Sequence, residues 1–457
     1  MNDICIYVEK DCIYCKILKK YLISNNIAFN EIDINRAPQY IQDINLIPIT
    51  RINSNIIIGV NLPVINKNLG INKNLSSKPI YLDHASTTYL KKEVFEEMKP
   101  YLLKKFVNAS SIYSLGLENR EVIENARNKV AQALSCNNGE VFFTSGGSES
   151  NNTAIKGIAF ANKDKGNHII TTSIEHPSVL NTCRYLEKHG FNITYLPVDK
   201  YGIVSLDYLR KSITCKTILI SVMFANNEIG TLQPIEEIGK IAKENNIYFH
   251  TDAVQAIGNI PINLEKSHID ILSLSAHKFY GPKGIGALYI KKGTSIDPLI
   301  HGGSQENSMR AGTENLANIV GLGKAIELAT SDINKYNKKL LYLRSKFIKD
   351  LLATIPNIKL NGHPKYRLPG NVNISFNNID SEILKYFLDV ENIYVSTTSA
   401  CSEKNLNLSH VLKAIGLSDE EARSSLRFTL GESNTEEDIN YTIRKINNII
   451  KELNNIV

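Results

Sequence analysis

The chain of 457 residues has no tryptophan and only four methionines. Proline is also scarce, at 14 positions, and forms no proline-rich segment. No run of apolar residues reaches the length of a membrane-spanning helix, so a helical membrane protein is excluded. A secretory signal is missing too: Asp3 and Glu9 flank a short strand where a leader would need an apolar core. Dense blocks of one charge are absent. The formal net charge of +6 is spread along the chain, which reads as a solvated surface and not a nucleic-acid footprint. Cysteines are few and odd in number, seven, at positions 5, 12, 15, 136, 183, 215 and 401. That pattern argues for reduced thiols in a cytoplasmic protein and against a disulfide framework. Cys136, Cys183 and Cys215 default to buried core positions.

What remains is ordinary globular composition, 43% hydrophobic and 21% charged, in a chain long enough for two or three domains. The first 65 residues read as a small domain. A strand at residues 3–8 leads to Cys12-Ile13-Tyr14-Cys15 and a helical pattern to about Asn25, with Ile17, Leu18, Tyr21 and Leu22 on one face. A strand from Phe29 to Ile34 and a hairpin around Leu46–Thr50 and Ile56–Gly59 follow. A thiol at a helix N-terminus has its thiolate stabilised, so Cys12 is the expected nucleophile and Cys15 its resolver. The competing reading, half of a zinc site, has no second pair or His cluster nearby. Residues 66–78 are polar, lack a clear period and read as a linker.

From Ile80 onward strands alternate with helices, the pattern of a mostly parallel sheet. Strands are expected at 141–144, 168–172, 192–196, 217–223, 247–251, 269–274 and 286–290. Three of them deliver polar residues at their ends. The apolar run from Ile269 to Leu274 ends in Ser275-Ala276-His277-Lys278. A Lys at the end of a buried strand is poorly solvated as a cation, which eases access to the neutral amine that adds to carbonyls. Such a Lys can hold an aldehyde cofactor as a Schiff base; taken alone, it would more simply be a snorkelling strand-end Lys. The strand over Tyr248–Thr251 delivers Asp252, the acid a pyridinium nitrogen needs, with Gln255 three residues on. The strand over Val141–Thr144 runs into Ser145-Gly146-Gly147-Ser148 and a helix start, an anion site suited to phosphate. A phosphate cradle, an acid and a Lys on three strand ends describe a pyridoxal phosphate pocket.

These stretches carry a family resemblance. Tyr81-Leu82-Asp83-His84-Ala85-Ser86-Thr87-Thr88, Glu175-His176-Pro177, Ala225-Asn226-Asn227-Glu228-Ile229-Gly230-Thr231, Arg310-Ala311-Gly312-Thr313, Ser399-Ala400-Cys401-Ser402 and Ser425-Leu426-Arg427-Phe428 complete it. Together they resemble the cysteine desulfurases, fold-type-I pyridoxal 5′-phosphate enzymes of the class-V aminotransferase superfamily. The resemblance covers roughly four fifths of the chain, from Ile80 to the C-terminus. It implies a large cofactor-binding domain over 79–334 and a smaller α+β domain over 335–457 that carries the catalytic Cys loop. The N-terminal segment resembles a glutaredoxin or thioredoxin-like domain, with Pro48 in the place of that family's cis-proline.

By that resemblance Lys278 carries the cofactor and moves the α-proton, Asp252 protonates the ring nitrogen, and His176 stacks on the ring. Asn227 and Gln255 bond the phenolic oxygen. Gly147, Ser148, Ser275 and His277 hold the phosphate, joined by Thr313 from a partner subunit, which implies a homodimer. Arg427 forks the substrate carboxylate. Cys401, in a run of small and polar residues, attacks the sulfur of L-cysteine and carries it as a persulfide, leaving alanine. The sulfur then passes to an acceptor protein for iron–sulfur cluster, other cofactor or tRNA biosynthesis. No metal is expected. The chain departs from the family pattern at Gly147-Ser148 (usually Ala-Thr), Tyr113 (often His), Asn307-Ser308 (usually Arg-Gly) and Thr398 (usually Gly). Two other readings stay open: a selenocysteine lyase or cysteine-sulfinate desulfinase on the same fold, and a sulfur or cluster carrier that uses the fold as a scaffold. The fusion suggests that Cys12 and Cys15 reduce the Cys401 persulfide or accept its sulfur.

Overall fold

A computed structural model describes residues 3–44, 46–71, 78–397 and 408–455. Seventeen strands and the helices between them form three sheets and one small two-stranded pairing among these residues.

The N-terminal sheet holds β1 (Ile4–Val8), β2 (Asn30–Asp33), β3 (Ile49–Ile52) and β4 (Asn55–Ile58) in the order β2-β1-β3-β4. β1 is parallel to β2 across the helix Ile13–Ser24 and antiparallel to β3. The Ile47–Pro48 peptide bond is cis. The helix Leu62–Leu69, capped by Asn61 and closed at Gly70 with φ 66°, continues past the boundary read at residue 65. Asn66, read as the first linker residue, is buried and accepts a hydrogen bond from Tyr21 Oη at 2.9 Å. Leu62, Ile65 and Leu69 carry the helical period, but the polar residues Asn66, Lys67 and Asn68 between them made the segment read as linker.

β5 (Ile80–Tyr81) pairs with β15 (Ile393–Tyr394), so the segment entering the large domain is stitched to the C-terminal one. The large sheet contains β6 (Val141–Thr144), β7 (His168–Thr172), β8 (Asn192–Leu196), β9 (Thr217–Ser221), β10 (Tyr248–Asp252), β11 (Ile271–Ser275) and β12 (Gly286–Ile290). Their order is β6-β12-β11-β10-β9-β7-β8. Every strand expected from the sequence is present. β12 alone runs antiparallel to its neighbours, because the ten residues joining it to β11 are too few for a crossover helix. β7, β9, β11 and β12 are buried along their whole length, as strands covered on both faces must be.

The C-terminal sheet is β13 (Ile358–Leu360), β14 (Asn371–Phe376), β17 (Ser425–Thr429) and β16 (Ser396–Thr397), in that order. The long helix expected near 332–352 spans Ile333–Thr354, and the last helix, Glu436–Asn454, is capped by Thr435 through a capping box with Asp438. One apolar cluster runs without a break from Cys15, Leu18 and Leu22 of the N-terminal domain to Phe347, Leu384, Leu388 and Leu453 of the C-terminal domain. The two domains are therefore packed together, not merely tethered. Of the cysteines expected in the core, Cys183 is buried, Cys136 is half-buried just past a helix end, and Cys215 is exposed in the turn before β9. Its neighbours Thr214 and Lys216 belong to the same turn, which the Thr217 amide closes by donating to Thr214 O at 3.0 Å. No helix among the described residues is long and apolar enough to cross a membrane.

Candidate active site

A cavity of about 560 Å³ opens at the carboxyl ends of β6, β10 and β11, where ligands of such sheets bind. Asp252 is the last residue of β10 and Ser275 the last of β11, and the two strands lie side by side. Lys278 ends the short 3-10 turn that follows β11. Its Nζ donates to the carbonyls of Ala85 at 2.6 Å and Ser86 at 2.8 Å.

Asp252 is buried and bonded on both oxygens: Oδ1 accepts from the Val254 amide at 3.0 Å and Oδ2 from Asn151 Nδ2 at 2.7 Å. Asn151 also reaches Ser178 Oγ at 2.9 Å. His176 caps the helix Pro177–Glu187, with Nδ1 accepting from the Ser178 amide at 3.1 Å. Burial lowers the His176 pKa, and Lys278 and His410 act in the same direction while Asp252 opposes them. A neutral, flat imidazole results at neutral pH. His277 is pushed down to about 4 by burial and by Lys278, and its Nδ1 lies 3.1 Å from Thr87 Oγ1.

At the phosphate end, Gly146 caps the helix Gly147–Ala161 with φ 148° and offers no side chain to the first-turn amides. A Cβ at Gly147 would come within 2.7 Å of Val254 Cγ2, and one at Gly146 would stand 3.6 Å from Ser275 Oγ. The turn is thus a cradle open to an anion, with Ser148, Ser275 and His277 lining the same cavity. Its shape and charge fit the phosphate, and Lys278 and Asp252 fit the aldehyde and the ring nitrogen, of a pyridine aldehyde phosphate.

Asn227, Gln255 and Arg427 line the cavity as well. Gln255 Nε2 donates to Ala85 O at 3.0 Å, the carbonyl that also holds Lys278. Arg427 is buried. Its Nη2 donates to Asp83 Oδ1 at 2.8 Å and Ser86 Oγ at 2.9 Å, its Nη1 to Asn227 O at 3.1 Å, and its Nε has no hydrogen-bond partner among the described residues.

Ten of the expected site residues therefore meet in one cavity. Thr313 does not: it is exposed and lies off this cavity in its own chain. Cys12 and Cys15 are in the N-terminal domain, joined as a disulfide with Cα atoms 5.3 Å apart, and Cys12 Sγ accepts from the Cys15 amide at 3.1 Å. Cys401 lies outside the described residues.

The sequence reading missed several residues. Asn151, in the helix that the phosphate turn opens, was given no role. Glu175, wholly buried, has its pKa pushed up to about 8 by burial, with Oε1 accepting from Thr172 Oγ1 and the Met223 amide. Glu228, also buried, is pushed up to about 7 by burial, against the Ser409 hydroxyl at 2.5 Å and Arg427, which lower it. His410 Nε2 lies 2.9 Å from Glu175 O. Each carboxyl stands in a recognised motif, but its burial depends on partners far away in sequence.

Comparison with known proteins places this geometry in context. Residues 80–442 match the model of the aminotransferase class-V family. A cysteine desulfurase IscS from Methanosarcina thermophila is 56% identical over 85% of this chain and 96% of its own length. One from Rickettsia typhi is 45% identical over 82% and 91%. Among solved structures, a NifS-like protein superposes with a TM-score of 0.78 at 40% identity, covering 82% of this chain and all of that one. SspA in complex with cysteine gives 0.69 at 39% identity, covering 78% and 100%.

Proposed function

The chain belongs to the aminotransferase class-V family, and from that premise we propose that it is a pyridoxal 5′-phosphate-dependent cysteine desulfurase, converting L-cysteine to L-alanine. The observation that carries the proposal is the convergence of Lys278, Asp252 and the Gly146-Gly147 turn on one cavity.

Pyridoxal phosphate, when bound, supplies an electron sink for negative charge at the substrate α-carbon. The first-turn amides at Gly147 and Ser148, with Ser275 and His277, would hold its phosphate. Asp252, kept in place by Asn151, would face its ring nitrogen, His176 its ring, and Asn227 and Gln255 its phenolic oxygen. Lys278 would hold its aldehyde carbon and, once released, take the substrate α-proton on Nζ, a task suited to an amine among carbonyls. Arg427 would turn its guanidinium to the substrate carboxylate.

The Cys401 thiolate then attacks the substrate sulfur. An S–S bond forms as the Cβ–S bond breaks; the bonding pair stays with Cβ, which takes a proton and leaves as alanine. An acceptor protein's thiolate then takes the outer sulfur of the persulfide, releasing the Cys401 thiolate, and supplies it to iron–sulfur clusters, other cofactors or thiolated tRNA. Thr313, exposed and away from its own cavity, suits the reading that it completes the phosphate site of a second copy in a homodimer. The Cys-x-x-Cys at the start of a helix packed on a sheet of order β2-β1-β3-β4 suits a thioredoxin-like redox domain. We read Cys12 and Cys15 as the reductant of the Cys401 persulfide, in a cytoplasmic enzyme. Relative rates on L-cysteine, selenocysteine and cysteine sulfinate test the substrate. A desulfurase loses cysteine turnover alone with Cys401→Ala, whereas undiminished cysteine turnover would favour a lyase.

A further inference from the structure

Glu228 is a buried carboxyl in the wall of the cavity. A short turn presents it: Asn226 Oδ1 accepts from the Glu228 amide at 2.9 Å and the Ile229 amide at 3.0 Å. Gly230 closes the turn with φ 76°. The Glu228 carbonyl accepts from Asn371 Nδ2 at 3.2 Å and Asn373 Nδ2 at 3.1 Å, both on β14. Its Oε2 accepts from Ser409 Oγ, the cap of the helix His410–Ala414, at 2.5 Å. Backbone and side chain are thus both held in place.

Ser86 ties together the two basic groups that would grip an amino acid. Its carbonyl accepts from Lys278 Nζ at 2.8 Å and its hydroxyl from Arg427 Nη2 at 2.9 Å. A substrate with its amino end at Lys278 and its carboxylate at Arg427 therefore spans Ser86, and its β-substituent stays close to the Arg427 end. Glu228 borders that end, because the carbonyl of the preceding Asn227 accepts from Arg427 Nη1 at 3.1 Å. Among the described residues that line the cavity, Arg427 is committed to the substrate carboxylate and Lys278 to the cofactor. Arg184 is exposed, and burial lowers the pKa of His176, His277 and His410. Glu175 and Asp252 add acid and not base. A second negative charge on the substrate would find no spare cation there.

We propose that Glu228 sets substrate selectivity by repelling amino acids whose β-substituent carries a negative charge. L-Cysteine enters with a neutral thiol; cysteine sulfinate and L-aspartate are disfavoured. The repulsion acts inside a protein cavity, where charges interact more strongly than in water. It discriminates through a cost against the wrong ligand, not through a contact with the right one. The placement of the amino acid rests on the desulfurase reading given above. Burial raises the Glu228 pKa to about 7, against the Ser409 hydroxyl and the Arg427 charge, so the carboxylate is mostly ionised at pH 8.

The test is a titration of the holoenzyme at pH 8 with L-aspartate and L-asparagine, followed in the visible spectrum of the bound cofactor. The two ligands are nearly equal in size and differ in charge. The wild type should bind asparagine at least about tenfold more tightly than aspartate. Glu228→Gln should reduce that ratio about tenfold, and Glu228→Asp, which keeps the charge, should preserve most of it. A side chain that only pinned Ser409 would behave the other way, since Gln keeps an acceptor for the hydroxyl and the shorter Asp withdraws it. A ratio unchanged in Glu228→Gln would overturn the proposal, as would an equal fall in Glu228→Asp. The ratio of kcat/KM for cysteine sulfinate to that for L-cysteine should likewise rise about tenfold in Glu228→Gln. A wild type that releases no alanine from L-cysteine, yet shows the expected aspartate and asparagine ratios, would overturn the desulfurase reading while upholding the charge selectivity at Glu228.

Discussion

Asn151 Nδ2 donates to Asp252 Oδ2 at 2.7 Å, one turn into the helix whose N-terminus forms the phosphate cradle. A single helix thus shapes the anion site and orients the carboxylate that would charge the cofactor ring. Replacing Asn151 with Ala removes a hydrogen bond to a charged group, so kcat/KM for L-cysteine should fall roughly ten- to a hundredfold. The bound chromophore should also shift in absorbance while its content stays near wild type. Loss of content without a spectral shift would mean that Asn151 supports the fold and not Asp252.

Gly146→Ala should weaken cofactor retention, because Gly146 holds φ 148°, a backbone conformation that a side chain strains. Cofactor titration after dialysis measures this. The expected result is a Kd raised about tenfold or more, with near wild-type kcat at saturation, as for an interaction made equally in ground and transition states.

How much of this was legible in the sequence follows from where each signal sits. Lys278, Asp252 and the Gly146-Gly147 turn each end a buried strand, so a local apolar run announces them, and the cavity assembled as expected. Glu228 could not be read that way: its burial depends on Ser409, 181 residues on. The helix Leu62–Leu69 went unread, its second half taken as linker because Asn66, Lys67 and Asn68 interrupt the apolar pattern, and the docking of Tyr21 on Phe387 joins residues whose spacing says nothing about each other. Local periodicity reports an element and the face it buries; it does not report which distant element covers that face.

Stability should fall as pH rises through the neutral range. Burial raises the pKa of Glu228 to about 7 and of Glu175 to about 8 in the folded chain. A raised folded-state pKa contributes stability that is complete below the unfolded value near 4.3 and is lost as pH climbs through the folded value. Buried histidines such as His277, depressed to about 4, act on the acid side, where stability is lost as pH falls below about 6.5. Urea midpoints at pH 5.5 and pH 8 bracket most of the Glu228 loss, and comparison with Glu228→Gln cancels the histidines, which both chains share. The wild type should lose more than Glu228→Gln over that interval; equal losses would show that Glu228 does not titrate there.

The central claim is that Lys278 and Cys401 divide the work of removing sulfur from L-cysteine. Its most direct test is alanine released from L-cysteine by the purified protein beside the Cys401→Ser variant, with the visible spectrum of each recorded. The account predicts a yellow wild type that forms alanine and a yellow variant that forms none. Equal alanine release by both would contradict it.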